Sequence, residues 1–175
     1  MFLLHPLFQK CLSSYAEFLI LLFIRLYCET FRKEYGEAKG EVVYKELENK
    51  ISEGTLKGVR LKMTDSSQAV VAIITRLMLR LHQYIKHSGE IMFMDASGNM
   101  ERQGCRVFLL LTHSCAGGLP LGVLITTNEG TDTISQTLHL YNSLLDETSY
   151  FGRGPDRGPE IIMTDDSMSE RQALS

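Results

Sequence analysis

The chain has 175 residues, of which 44% are hydrophobic and 22% charged. This length and composition suit one globular core of ordinary size and exclude a chain that is disordered throughout. The formal net charge of −3 argues against a protein that coats nucleic acid over its whole surface, because such binding requires many Lys and Arg residues that neutralise phosphates. Any nucleic-acid contact must therefore be local.

The basic residues are concentrated in the middle of the chain. Residues 57–106 contain eight basic and four acidic residues, whereas residues 107–175 contain three basic and nine acidic residues. A solvated surface explains such a balance, and so does a local phosphate-binding patch. The candidate DNA contacts are the arginines of the middle segment and of a later Gly- and Pro-rich loop: Arg76, Arg80, Arg102, Arg106, Arg153 and Arg157.

Residues 1–30 are interpreted as an apolar leader or a helix. The run from Phe18 to Ile24 holds seven apolar residues before Arg25, which is too short to cross a bilayer. The basic start and the small residues of a signal-peptide cleavage site do not accompany this run. We therefore expect no stable membrane insertion.

Residues 31–88 are predicted to form a flanking region that is mainly helical. A helix is predicted over residues 41–53, where apolar side chains share one face and Gly54 follows. A short strand is predicted around Val59 to Met63, and a strand followed by a helix over residues 70–85.

The helix predicted at the end of this region carries two histidines. Leu77, Leu81 and Ile85 are predicted to form its apolar face. His82 and His87 lie five residues apart, a spacing that does not place two metal ligands on one helix face. Both are interpreted as surface or interface histidines.

Three apolar runs then follow one another at short intervals. The runs are Ile91 to Asp95, Val107 to Thr112 and Leu121 to Thr126. Turn residues separate them, with Gly117, Gly118 and Pro120 in the second turn. Because neither connection has room for a helix, an antiparallel three-strand meander is predicted.

A helix and a fourth strand complete the pattern. Ile134, Leu138, Tyr141 and Leu145 predict a helix, and Thr131 or Asp132 is expected to cap its start. A Gly- and Pro-rich loop over residues 152–159 leads to the apolar run 161–164, which Asp165 and Asp166 follow. The sequence from Ser167 to Glu170 has the form of a helix capping box, so a second helix is predicted to start there.

This order of elements predicts that Asp95 and Asp165 meet at one edge of the sheet. A crossover helix allows the fourth strand to lie parallel to the first, so the carboxyl ends of both strands point the same way. Strand alternation places Asp165 on one face with Met163, and Asp166 on the other face. The order is that of the ribonuclease-H-like fold, as an analogy of topology.

Two carboxylates held close together are a candidate magnesium site. They repel each other unless a cation lies between them, and Mg²⁺ prefers oxygen ligands. A pair of such ions activates an attacking oxygen and stabilises a leaving oxygen in phosphodiester chemistry. Each aspartate also has an ordinary explanation, because Asp is common in turns and before helices.

The stretch from Met92 to Leu174 closely resembles the Mutator-like transposase domain of animal transposon-derived proteins. The resemblance lies in "FMDASGNMERQGCRVFLLLTHSCAGGLPLGVLITTNEGTDT", "FGRGP" and "IIMTDDSMSERQAL", with "FRKEYG" matching the region before that domain. It implies an α/β, retroviral-integrase-like mixed sheet, with residues 89–175 forming part of a DDE transposase domain.

The resemblance also implies a catalytic site. Asp95 and Asp165 match the first two metal-binding acids. Glu129 and Glu170 recur in the family pattern and are interpreted as helix-start and supporting residues, whereas Asp166, on the opposite face from Asp165, is assigned a supporting or capping role. The third acid of the family lies on a later helix and has no counterpart in these 175 residues. The implied cofactor is Mg²⁺ or Mn²⁺, with two ions in the complete fold, and weak or absent activity is expected of this chain alone.

Three functions stay open at this point. The chain is part of a metal-dependent transposase that acts on transposon ends, a non-catalytic transposon relic that binds DNA or protein, or an unrelated nuclease of the same fold. The resemblance implies a nuclear or intracellular location and a homo-oligomer of the full-length protein.

Overall fold

A computed structural model of the chain describes residues 41–54, 58–63, 69–97, 105–115, 117–165 and 168–174. Its centre is a six-stranded mixed sheet in the order β1-β2-β5-β4-β3-β6. The strands are β1 (Val59–Met63), β2 (Ala69–Ile73), β3 (Ile91–Ser97), β4 (Arg106–Ser114), β5 (Gly117–Thr126) and β6 (Ile161–Met163). The predicted α/β class is therefore confirmed. Residues 1–40, including the predicted leader, lie outside the described residues.

The helices lie between and after these strands. The four longer helices are α1 (Glu41–Ser52), α2 (Arg76–Tyr84), α4 (Thr131–Asn142) and α7 (Met168–Ala173), and short ones occur at α3 (His87–Glu90), α5 (Ser149–Gly152) and α6 (Gly154–Arg157). Within the described ranges, no helix has the length and apolar character needed to cross a membrane.

The predicted meander is present, and further strands pair with both of its edges. β3, β4 and β5 pair antiparallel in sequence order, and β6 pairs parallel with β3 after the crossover through α4. β2 pairs antiparallel with β5, and β1 with β2. The sheet therefore includes strands from both sides of the boundary predicted after residue 88.

The core lies between the sheet and α4. Phe108, Leu110, Leu124, Ile134 and Tyr141 are all at most 1% exposed. Gly122 makes this packing possible, because a Cβ atom at this position would overlap with the ring of Tyr141. The missing side chain lets the tyrosine ring lie directly on β5.

Two local expectations about the ends of elements are wrong. Gly117, Gly118 and Pro120 belong to β5 rather than to a turn, because β4 and β5 stay paired as far as Ser114 and Gly117. Gly130, not Thr131 or Asp132, is the N-cap of α4, and its backbone amide donates to Asn128 Oδ1 at 2.9 Å. The Asn128 side chain thus shapes the turn that precedes the helix.

The inner face of α2 also differs from the prediction. Met78 and His82 are its buried residues, whereas Leu77 is 58% exposed. His82 is fully buried and bonded within the chain, so its interpretation as a surface or interface histidine is wrong. Thr75 caps this helix by accepting a hydrogen bond from the Met78 amide at 3.2 Å. The cap fixes the start of the helix at Arg76.

Candidate functional site

Asp95 and Asp165 lie at the carboxyl ends of neighbouring parallel strands. Phe93 of β3 pairs with Met163 of β6, and each aspartate follows its member of that pair by two residues. Side-chain alternation along β3 places Asp95 on the face of Phe93. Asp165 lies in the segment directly after β6, close enough for its charge to act on Asp95. The structure thus brings together the two acids that the sequence selects.

The two aspartates interact electrostatically. The pKa of the Asp95 carboxyl is raised above its ordinary value, first because the surrounding protein removes water from it and second because Asp165 carries a like charge. A nearby cation would relieve both effects. Asp95 still has a solvent-exposed side, so an ion or a substrate could reach the pair.

Glu170 joins this pair from α7. The residue is 2% exposed, and burial together with the charges of Asp165 and Asp95 raises the pKa of its carboxyl to about 7. A hydrogen bond to the Asp165 side chain also raises this pKa.

Packing between α7 and α4 holds Glu170 in this position. The two helices are in contact, and the Thr131 hydroxyl donates to Gln172 Oε1 at 3.4 Å. The helix that carries Glu170 is therefore anchored to α4.

Glu129 and Arg106 lie at the same end of the sheet. Arg106 Nε is 2.9 Å from Glu129 Oε1, and the Glu129 charge contributes to the raised pKa of Glu170. Glu129 follows β5 and precedes α4, as expected of a residue at a helix start. The ion pair therefore places the positive charge of Arg106 near the acidic residues at this end of the sheet.

The predicted DNA-contacting arginines lie in different places. Arg106 and Val70 both pair with Thr126, whereas α2 begins after the opposite end of β2. Arg76 and Arg80 are exposed on α2, so they are separated from Arg106 along the sheet. Arg102 lies outside the described residues, as does Asp166 among the supporting acids.

The two loop arginines differ in their surroundings. Arg153 Nε donates to the Gly158 carbonyl at 2.7 Å, and its Nη1 lies 3.1 Å from Glu160 Oε1. Arg153 therefore closes its own loop. Arg157 is exposed and lines a cavity of about 290 Å³ with His139, Ile162 and Leu174, between α4, β6 and α7.

A buried polar cluster around His82 is a feature that the sequence did not suggest. His82 Nε2 is 2.8 Å from the Tyr141 hydroxyl, which donates to the Leu121 carbonyl at 3.0 Å. The Tyr150 amide donates to His82 Nδ1 at 3.4 Å, which leaves Nε2 to carry the imidazole proton. Burial lowers the pKa of His82 to about 4.

This cluster supports an unusual backbone turn. Tyr150 and Phe151 both have left-handed φ angles, 52° and 55°, a conformation that is disfavoured for bulky residues. The Tyr150 ring is buried and meets the His82 ring edge to face, with the centroids 4.7 Å apart. Only the i to i+4 spacing of Met78 and His82 could have indicated this burial.

Asp95 and Asp165 could supply some, but not all, of the ligands of a divalent cation. Asp95 and Asp165 supply hard oxygen ligands, and Mg²⁺ commonly takes the rest of its octahedron from water and phosphate. Across the part of the chain that the structure describes, no three His, Cys, Asp or Glu side chains form a group that could hold a metal ion. The described residues therefore offer a two-carboxylate site and not a complete protein cage.

Comparisons of the chain with protein-family models, with curated proteins and with solved structures gave no match.

Proposed function

We propose that Asp95 and Asp165 are the first two acids of a metal-dependent phosphodiester-transfer site in a ribonuclease-H-like domain of the Mutator-like transposase class. The observation that carries the proposal is the parallel pairing of β3 and β6, which brings both acids to the same edge of the sheet at the ends of adjacent strands. The order of strands around them, with a meander, a crossover helix and a fourth strand, supports the same proposal.

The chemistry follows from the residues of the pair. Asp95 and Asp165 would hold Mg²⁺ or Mn²⁺ through carboxylate oxygens, and the exposed side of Asp95 leaves room for a phosphate. When bound, the metal makes a water or a 3′-hydroxyl more nucleophilic and stabilises the leaving oxygen. Strand cleavage and transfer at transposon ends is then the activity of the complete site, in the nucleus and in an oligomeric protein.

A non-catalytic role is the second candidate. It is favoured by one observation: within the described ranges, no group of three acids, histidines or cysteines could hold a metal ion. Such a relic would bind DNA through exposed arginines without metal. The two candidates differ in whether divalent cation and DNA strengthen each other's binding.

Isothermal titration of Mn²⁺ distinguishes these candidates. The transposase-type site predicts Mn²⁺ binding that Asp95→Asn and Asp165→Asn each weaken and that a short DNA duplex strengthens, because phosphate oxygens complete the coordination. Asp156→Asn, which removes an exposed acid from α6, is the matched control and leaves binding unchanged. DNA binding that is indifferent to Mn²⁺ and to both aspartates would favour the relic instead.

A further inference from the structure

The outer face of α2 is exposed and carries only positive charge. Met78 and His82, the buried residues of the helix, define its inner face. At about 3.6 residues per turn, four exposed residues fall within an arc of about 100° on the opposite side. These residues are Arg76, Leu77, Arg80 and Tyr84. The helix therefore presents two arginines and an aromatic ring together to solvent.

The charge of this face indicates an anionic partner. α2 contains no acidic residue, and among the described residues neither Arg76 nor Arg80 forms an ion pair. Arg106 and Arg153, by contrast, are each paired with a glutamate. Exposed guanidinium groups on one helix face, without acids beside them, favour contact with phosphates.

Tyr84 adds an aromatic ring to this surface. The residue is 72% exposed, so its ring is accessible to a partner. It follows Arg80 by about one helical turn, and a hydrogen bond of 3.0 Å from Gln83 Nε2 to Thr148 Oγ1 holds this end of α2 in place. The bases of a single strand stack on such rings, whereas the bases of a duplex are already paired and stacked on one another. Tyr84 therefore favours an unpaired strand.

We propose that the outer face of α2 binds single-stranded DNA, with Arg76 and Arg80 on phosphates and a base stacked on Tyr84. The choice of DNA rests on the proposed function, whereas the choice of a single strand rests on the exposed ring. Cationic and aromatic side chains make these contacts, so binding does not depend on a divalent cation. The face is a DNA-binding surface in addition to the Asp95–Asp165 pair.

Fluorescence anisotropy with a short oligo-dT and with a short duplex, both in EDTA, tests the role of the ring. Tyr84→Leu keeps an apolar side chain but removes the ring. It should weaken oligo-dT binding by about 5- to 150-fold, which corresponds to the loss of one base stack, and leave duplex binding unchanged. Tyr84→Phe retains the ring and should bind oligo-dT within about 3-fold of the wild type.

The salt dependence of the same binding tests the arginines. Replacing Arg76 and Arg80 together by Gln should reduce the slope of log affinity against log salt for oligo-dT by about 1.4, at about 0.7 per contact on a single strand. Arg60→Gln, which removes an exposed arginine from β1, is the matched control and leaves the slope unchanged. These positions are exposed, so urea unfolding should show wild-type stability for every variant.

Leu77→Ala distinguishes a stacked base from an apolar contact. Leu77 is 58% exposed on the same face, and a protein partner that docks through apolar side chains would use it together with Tyr84. Base stacking requires the ring alone, so Leu77→Ala should leave oligo-dT binding unchanged. Equal losses of oligo-dT affinity in Leu77→Ala and Tyr84→Leu would overturn the proposal in favour of an apolar docking face.

The remaining results separate this inference from the proposed function. Wild-type protein that does not bind oligo-dT, or a Tyr84→Leu variant that binds it as tightly as the wild type, would overturn the inference, while Asp95-dependent Mn²⁺ binding would leave the proposed function intact. Equal losses for oligo-dT and duplex in Tyr84→Leu would overturn the preference for a single strand. Tyr84-dependent oligo-dT binding without Asp95-dependent Mn²⁺ binding would support the inference and overturn the proposed metal site.

Discussion

Asp95 and Asp165 each lie two residues beyond the Phe93–Met163 pair, the last parallel pair between β3 and β6. The two residues therefore meet at one edge of the sheet, and the like charge of Asp165 contributes to the raised pKa of Asp95. Their proximity depends on the parallel pairing of β3 with β6.

The first prediction concerns the close contact between β5 and α4. Gly122→Ala should lower the free energy of unfolding by about 2–3 kcal/mol, because the new methyl group overlaps with the Tyr141 ring and forces it away from the sheet. Urea denaturation measures the loss. Gly130→Ala, at an ordinary φ of −69°, is the matched control and should cost about 0.5–1 kcal/mol. Equal costs at the two positions would argue against the packing described for Tyr141.

The second prediction concerns the hydroxyl of Tyr141. Tyr141→Phe should reduce the free energy of unfolding by about 1–3 kcal/mol, because the Leu121 carbonyl and His82 Nε2 would stay buried with a bonding partner removed. Tyr84→Phe removes the same group at a residue that is 72% exposed, and should change stability by less than about 0.5 kcal/mol. If both variants are equally stable, the buried hydroxyl makes no net contribution.

The third prediction concerns the dependence of stability on pH. Burial lowers the pKa of His82 to about 4 in the folded protein, against 6.5 for an unperturbed histidine. Between these values the unfolded chain binds more protons than the folded chain, so the His82 contribution is complete above pH 6.5 and is lost as pH falls towards 4.

The measurement compares the wild type with His82→Gln across that window. Carboxylates titrate in both proteins, so the difference between their unfolding free energies isolates the histidine. We expect the wild type to lose more stability than the variant between pH 6.5 and pH 4. Parallel curves for the two proteins would show that His82 is protonated as readily in the folded state as in the unfolded state.

The sequence predicts the sheet and its acidic pair for a simple physical reason. Short turns between the apolar runs leave an antiparallel meander as the only connection, and a crossover helix makes the next strand parallel to the first. Asp95 and Asp165 then follow from counting residues along two strands. The same reasoning could not locate β1 and β2 relative to the meander. Neither segment has a sequence feature that indicates which strand pairs with the free edge of β5.

The burial of Glu170 and His82 could not be predicted in the same way. Both are polar residues in helical segments, where solvent exposure is the ordinary expectation. Their burial depends on distant partners: His82 bonds to residues 39 and 59 positions away, and Glu170 is covered only because α7 packs on α4. Such contacts are set by tertiary packing rather than by local pattern.

The fourth prediction concerns the arginines that are free to meet DNA. If Arg76 and Arg80 contact phosphates, replacing both by Gln should reduce the slope of log affinity against log salt by about 1.8, at about 0.9 per contact on duplex DNA. Fluorescence anisotropy with a short duplex at several salt concentrations measures the slope. Arg157→Gln tests the Gly- and Pro-rich loop before β6. A slope that responds to Arg157 but not to the double substitution would move the contact surface to that loop.

The most direct test of the central claim is paramagnetic broadening by Mn²⁺ in the NMR spectrum of the labelled protein. A cation shared by Asp95 and Asp165 should first broaden the amide signals next to these two residues, such as those of Ala96 and Thr164, and leave that of Tyr84 on α2 unaffected at the same Mn²⁺ concentration. Asp95→Asn should abolish this selective broadening, while Asp156→Asn should preserve it. Uniform broadening over the acidic surface, or selective broadening that survives the loss of Asp95, would contradict the proposed metal site.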